Sequence, residues 1–268
     1  MLLDAPSVLT AHTSLGDTGV TALVAANPAG MVAAVDVRGG GPGTRETDLL
    51  EPYNTVERVH AIMLCGGSAF GLAAADGAAA VATALDAERS DLTSGSVGAG
   101  CGATAGVLRG GVGHASAAAA GYTVAACVVA NPVGSVVDPA TGLLYGDPSQ
   151  PAVDLERFRR LERPAPKLNT TIGVIATDAP LIKAQLKRIA MTGHDGIARA
   201  VRPAHSPLDG DTLFAVSTAV EEAPVRGVEA LAVLGEAAAG AVQAAIVSAV
   251  VHADSAFGVT AWRDLVGR

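Results

Sequence analysis

Asn169-Thr170-Thr171 stands where a basic, proline-punctuated stretch (Arg159, Arg160, Arg163, Pro164, Pro166, Lys167) gives way to the β-favouring run Ile172 to Ala176. A threonine hydroxyl is a useful nucleophile only with a base beside it, and its own α-amine, with a pKa of about 8, suits neutral pH. An internal threonine has no such amine. The Asn169–Thr170 bond would first have to be cut, by attack of the Thr170 hydroxyl on the Asn169 carbonyl: an N-to-O acyl shift completed by hydrolysis. A connector that ends at a strand start is a suitable place for that cut. The plainer alternative is that β-branched threonine favours the beginning of a strand. The triplet also fits the Asn-x-Thr glycosylation pattern, which has meaning only in a secreted chain.

Other chemistries find weaker support. Gly98-Ala99-Gly100-Cys101-Gly102 is glycine-dense, yet the chain contains neither Gly-x-Gly-x-x-Gly nor Gly-Lys-Ser/Thr, so no nucleotide cofactor is expected. His194, Asp195, His205, Asp209 and Asp211 are all possible metal ligands, but none pairs with the His-x-x-x-His spacing that sets two ligands on one helix face. No metal is expected. Ser68 follows an apolar run like a nucleophile elbow, but its neighbours Gly66, Gly67, Ala69 and Phe70 do not make Gly-x-Ser-x-Gly. Gly67 and Ser68 are better read as backbone donors lining a site at a helix start.

The elements that position these residues must be built from small side chains. The 268-residue chain is half hydrophobic with only 3% aromatic residues and 32 glycines, so its core is Ala, Val, Leu and Ile with backbones close together. A net charge of −8 offers no basic surface for nucleic acid. Cys65, Cys101 and Cys127 are too few and too dispersed for a disulfide framework and read as reduced core residues. The N-terminal stretch lacks a basic, then apolar, export signal, and the long uncharged run Gly110 to Val137 is broken by Gly, Ser, Asn131 and Pro132. A cytoplasmic protein outside the membrane is expected.

Gly19 to Ala25 and Met31 to Arg38 read as strands joined in a hairpin by Asn27-Pro28-Ala29-Gly30. His60 to Cys65, Gly121 to Asn131, the run after Thr171, and Asp211 to Thr218 add further strands. Ala69 to Glu88 and Val228 to Ala253 read as alanine-rich helices. A third helix, apolar at Ile182, Leu186, Ile189 and Ala190, would open at Asp178-Ala179-Pro180 with an acidic N-cap. Arg38 to Glu46 and Gly95 to Gly113 are long glycine-rich loops. Clusters of strands and helices in this order predict an α+β fold with sheets inside and helices outside.

Several segments together resemble one family. GGSAFGLAAADG (Gly66 to Gly77), GATAGVLRGGVGHAS (Gly102 to Ser116), NTTIGVIATDA (Asn169 to Ala179), DGDTLFA (Asp209 to Ala215) and RGGGPGTRETDLL (Arg38 to Leu50) are similar to the self-processing L-aminopeptidase/D-esterase (DmpA-type) hydrolases, which include the nylon-oligomer endo-amidase. The resemblance spans nearly the whole chain. It implies a single domain, residues 1–268, in a four-layer αββα sandwich of the DmpA and ornithine acetyltransferase type, cut into chains 1–169 and 170–268 that stay together. It makes Thr170 the nucleophile of an amide or peptide hydrolase, with Asp209 and Asp211 orienting it. Asn131 becomes an oxyanion donor, and Gly67, Ser68 and Phe70 line the substrate. Phe70 replaces a tyrosine of the endo-amidase, and Arg109 stands where the family commonly carries a catalytic lysine. The implied substrate is a small peptide or amide, and the implied assembly a homo-oligomer of cut units. An acyltransferase of the ornithine acetyltransferase type, which also self-cleaves before threonine, and an uncleaved binding protein are the rivals.

Overall fold

Residues such as Val124 to Ala130, apolar at every position, cannot alternate between core and water and must be covered on both faces. The computed structural model, which describes residues 7–76, 90–162, 169–220 and 224–267, shows how this is done. The chain forms β1 (Val8–Leu15), β2 (Thr18–Ala25), β3 (Met31–Val37), β4 (Arg58–Val59), β5 (Ala61–Cys65), α1 (Ser68–Gly71), β6 (Thr104–Ala105), β7 (Leu108–Arg109), β8 (Gly111–Ala119) and β9 (Tyr122–Ala130). It continues through α2 (Leu155–Arg159), β10 (Ile172–Thr177), α3 (Lys183–Ala200), β11 (Thr212–Ser217) and α4 (Val228–Val251).

Six strands make one sheet in the order β4-β3-β11-β10-β9-β8, and a second sheet has the order β1-β2-β5. Among the described strands only β10 and β11 pair in parallel; their neighbours are antiparallel. Alternate residues of β9 serve different layers. Ala125, Cys127 and Val129 meet Leu23, Ile62 and Leu64 of the smaller sheet. Ala126, Val128 and Ala130 face the helix layer, where Leu186, Ile189 and Ile197 of α3 join Leu234, Val242 and Ile246 of α4. Helix α4 is long and apolar enough to cross a membrane by length and composition, and here it packs on β8, β9 and α3. Glycine sets the approach. A Cβ on Gly113 of β8 would lie 1.9 Å from Ala245 O of α4, and one on Gly196 of α3 would lie 2.2 Å from Ala239 O. Backbone contact of this kind is what the scarcity of aromatic residues signals.

The outer face of the smaller sheet carries Ala11, Ala22 and Val24. The 3-10 turn Leu72–Asp76, which follows α1, packs against β5 there. The helix expected over Ala69 to Glu88 is therefore present at its start, and its remainder from residue 77 lies outside the described residues, as does the connector from 163 to 168.

Four expectations need correction. The strands around Asn27–Gly30 do not form a hairpin: β2 pairs with β1 and β5, whereas β3 pairs with β11 and β4, so the turn carries the chain from one sheet to the other. Helix α3 begins at Lys183, five residues after Asp178; the Asp178 carboxylate accepts Thr123 N–H at 2.8 Å, and Gln185 Oε1 instead receives Ile182 N–H at 3.1 Å. Strands β1 and β8 were not foreseen, the latter starting inside the stretch read as a glycine loop. Of the cysteines only Cys127 is fully buried, its thiol pushed up to about 12 by burial; Cys65 and Cys101 are half-buried.

Candidate active site

The parallel register of β10 and β11 sets Ile172 opposite Thr212. Continued towards the strand starts, the same offset of 40 residues places Thr170 opposite Gly210, with Asp209 and Asp211 on either side. Backbone bonds confirm it. Gly210 N–H donates to Asn169 O at 2.9 Å, Thr212 N–H to Thr171 O at 2.9 Å, and Asn169 N–H to Leu208 O at 3.3 Å. On the other side, the antiparallel register of β9 with β10 brings Asn131 to Thr170, whose N–H donates to Asn131 O at 2.9 Å. Asn131, Thr170 and Gly210 thus form one row across three strand ends.

The Thr170 hydroxyl lies within this row and donates to Asn169 O at 2.7 Å. The carbonyl of the candidate scissile bond therefore receives two donors, Thr170 Oγ–H and Gly210 N–H. Gly210 has no side chain for a simple reason: a Cβ there would sit 2.8 Å from Thr170 Oγ and 2.7 Å from Gly41 O. Asn131 Oδ1 accepts Thr104 N–H at 2.9 Å, which fixes the amide orientation and leaves Nδ2 as its donor.

Both carboxylates are buried, and neither bonds to Thr170 directly. Asp209 accepts Val133 N–H at 2.9 Å, Ser206 N–H at 3.1 Å and Ser206 Oγ–H at 2.6 Å, so it ties the loop after Asn131 to the loop before β11. Asp211 Oδ1 accepts Thr171 N–H at 2.8 Å, and Oδ2 accepts His205 N–H at 3.1 Å. His205 Nδ1 lies 2.8 Å from the same Oδ2; a carboxylate oxygen can only accept, so Nδ1 carries the proton. His205, Ser206, Gly210 and Thr104 are the members that sequence reasoning missed. From the sequence His205 reads only as a possible metal ligand; among the described residues no three His, Cys, Asp or Glu side chains are grouped to hold a metal.

Loop Arg38 to Glu46 closes over the row: Gly41 N–H donates to Asp209 O at 2.8 Å, and a Cβ on Gly43 would lie 3.6 Å from Ala69 Cα. Gly67, Ser68 and Phe70 flank the Ala69 that meets this loop. Gly67 and Ser68 have left-handed φ values of 89° and 60°, and Phe70 is 94% exposed. Arg109 is not brought to the group. Its guanidinium donates to Asp254 O at 3.2 Å, to Ser96 Oγ at 3.4 Å and to Cys101 O, and it lies over the Phe257 ring. Its backbone pairs with Thr104, so it stands one strand behind the Asn131 contact.

Two sheets packed face to face beneath paired helices are also the fold of solved aminopeptidases. The β-aminopeptidase of Burkholderia sp. superposes with a TM-score of 0.71 at 23% identity, covering 99% of this chain and 94% of that one. The L-aminopeptidase D-Ala-esterase/amidase of Ochrobactrum anthropi, a variant of the Ntn-hydrolase fold, gives 0.67 at 22%, covering 92% and 84%. By sequence, an uncharacterized aminopeptidase of Mycobacterium bovis is 41% identical over 92% of this chain and 89% of its own length. The 6-aminohexanoate-oligomer endohydrolase of Kocuria sp. is 30% identical over 79% and 72%. Peptidase family S58 matches residues 1–88 and 78–262. The chain belongs to that family, the DmpA family, and is a hydrolase of peptide or other amide bonds.

Proposed function

We propose that Thr170 is the nucleophile of this hydrolase and that it is released by self-cleavage of the Asn169–Thr170 bond. The observation that carries the reading is the pair of donors on Asn169 O, Thr170 Oγ–H at 2.7 Å and Gly210 N–H at 2.9 Å. Thr170 Oγ attacks the Asn169 carbonyl carbon, and Gly210 N–H meets the oxygen as it gains charge, where a single such donor is worth about 3 kcal/mol. The C–N bond breaks, the hydroxyl proton ends on the departing Thr170 nitrogen, and an ester joins Asn169 to Thr170 Oγ. Water hydrolyses the ester. The free α-amine stays beside Asn131 O, its partner in the intact chain, and is then the base for attack on a substrate carbonyl. Asn131 Nδ2 supplies the donor on the substrate oxyanion. Small peptides or amides with an accessible acyl carbonyl are the substrates, in keeping with the aminopeptidase and oligomer endohydrolase among the relatives.

Intact-mass measurement of the purified protein tests the reading. Wild-type chain should yield residues 1–169 and a second chain whose N-terminal sequence is TTIGV. Thr170→Ala should remain one chain without activity, and cleavage of that variant at the same bond would refute the intramolecular mechanism.

A further inference from the structure

The Asp211 carboxylate, 1% exposed, is gripped from two sides. Oδ1 accepts the N–H of Thr171, the residue after the nucleophile, whereas both donors on Oδ2 come from His205. A carboxylate turns readily about its terminal torsion, and the Thr171 bond alone would leave that turn open. His205 closes it. The residue adopts a left-handed φ of 56°, a conformation that costs a histidine about 1 kcal/mol and must be held by its surroundings.

Those surroundings are specific. The buried His194 ring of α3 stands edge-on to the His205 ring with centroids 4.9 Å apart. His194 Nε2–H donates to Asp36 O of β3 at 3.1 Å, and Asp36 in turn holds Arg38 at 2.9 Å. Burial, reinforced by nearby His205 and Arg38, brings the His194 pKa down to about 4, so this ring is neutral at neutral pH. Asp211 is thus in direct contact with His205, Asp36 and Arg38 lie beyond His194, and Asp209 holds the neighbouring Ser206.

We propose that His205 is a positioning residue for the reaction at Thr170: through Asp211 it fixes the Thr170–Thr171 peptide and so the direction of the nucleophile. This rests on the assignment of Thr170 above. Nothing in the proposal requires His205 to touch substrate or to carry a proton between groups.

His205→Ala and His205→Asn separate this role from a purely structural one. Asparagine tolerates a left-handed φ and offers Nδ2 near the place of Nδ1. His205→Ala should process itself and turn over an amide substrate about tenfold more slowly, with KM within about threefold, because orientation is lost in the transition state rather than binding. His205→Asn should recover both rates to within about threefold. A residue serving only stability would lower the melting temperature without splitting kcat from KM. The proposal is overturned if His205→Ala works within about twofold of wild type, or if folded His205→Asn is as slow as the alanine variant. Hydrogen exchange at the Thr171 amide gives a readout that does not depend on processing: protection should fall about tenfold in His205→Ala and return in His205→Asn. Unchanged protection in the alanine variant overturns the positioning role directly. If wild-type chain stays whole and inactive, the assignment of Thr170 fails, and the exchange result alone decides whether His205 holds Asp211.

Discussion

Gly210→Ala perturbs the proposed nucleophile without removing any side chain now present. The added Cβ would stand 2.8 Å from Thr170 Oγ, 2.7 Å from Gly41 O and 3.1 Å from Pro42 Cα, each well inside ordinary van der Waals contact. Gly210 is not among the residues with positive φ, so alanine fits the local backbone and even gains about 0.5 kcal/mol from the unfolded chain. The conflict must be relieved by moving atoms of the site. If the Thr170 hydroxyl swings aside, its bond to Asn169 O is lost; if the strand starts separate, the Gly210 N–H to Asn169 O bond lengthens instead. Either displacement is of the size that costs about 10²-fold in a positioned reaction, or ~2.7 kcal/mol of barrier. Overpacking should cost about 1–3 kcal/mol of stability, partly offset by the entropy gain. Purified Gly210→Ala should therefore be folded, with a denaturation midpoint near wild type, and should convert to chains 1–169 and 170–268 on the order of a hundredfold more slowly in a mass-spectrometric time course. Conversion within about threefold of wild type would refute the crowding argument and the place of Gly210 at the reacting carbonyl.

Burial holds the His114 and His194 pKa values at about 4, below the ordinary 6.5, so the unfolded chain binds more protons between these values. Stability should be full above pH 6.5 and fall as pH drops towards 4, by up to about 3 kcal/mol per histidine, and a denaturant midpoint equal at pH 7 and pH 5 would contradict this. Lys183 Nζ shares its three N–H groups among the carbonyls of Leu49, Glu51, Asn54 and Val56, so Lys183→Met leaves these acceptors without their donor; it should lose about 2–3 kcal/mol and be cut first in that loop by added protease. Arg109→Met should likewise lower the unfolding midpoint, by about 1–3 kcal/mol, since it leaves Asp254 O and Cys101 O without their buried donor. At temperatures where that variant is folded its processing should survive, and loss of processing at unchanged stability would restore Arg109 to the reacting centre.

Element type was legible where burial on both faces erased periodicity in a glycine-poor run, as in β9, or where alanine filled a long proline-free run, as in α4. Pairing was not. The turn at Asn27–Gly30 has hairpin residues and a Gly30 N–H to Asn27 O bond of 2.9 Å, yet the strands it joins find their partners in different sheets. Local turn chemistry fixes a reversal of direction, whereas sheet membership is decided by strands far away in sequence. Strand β8 was obscured for a related reason: Gly111 and Gly113 look like loop residues until α4 is laid against them. At the site, resemblance supplied the pairing of Thr170 with Asp209 and Asp211, and the 40-residue parallel register explains it physically. His205 could be seen as a histidine six residues before Asp211, but its left-handed turn towards that carboxylate depends on contacts with α3 that no local pattern encodes.

The two buried carboxylates are held by hydrogen bonds that take the place of lost water. A buried charge is costly unless hydrogen bonds replace its lost water. Asp209 receives three donors from Val133 and Ser206, and Asp211 receives three from Thr171 and His205. Four of these six are backbone N–H groups, whose positions are set by the strand ends and not by flexible side chains. Each carboxylate therefore acts first as a clasp, Asp209 joining the Asn131 loop to the β11 start and Asp211 joining that start to Thr171. The resemblance led us to expect them at the threonine itself; in the intact chain they hold the three strand ends around it. Arg109 donates to Asp254 O, Cys101 O and Ser96 Oγ one strand away, and at the row itself Asn169 O is held by Gly210 N–H and the Thr170 hydroxyl.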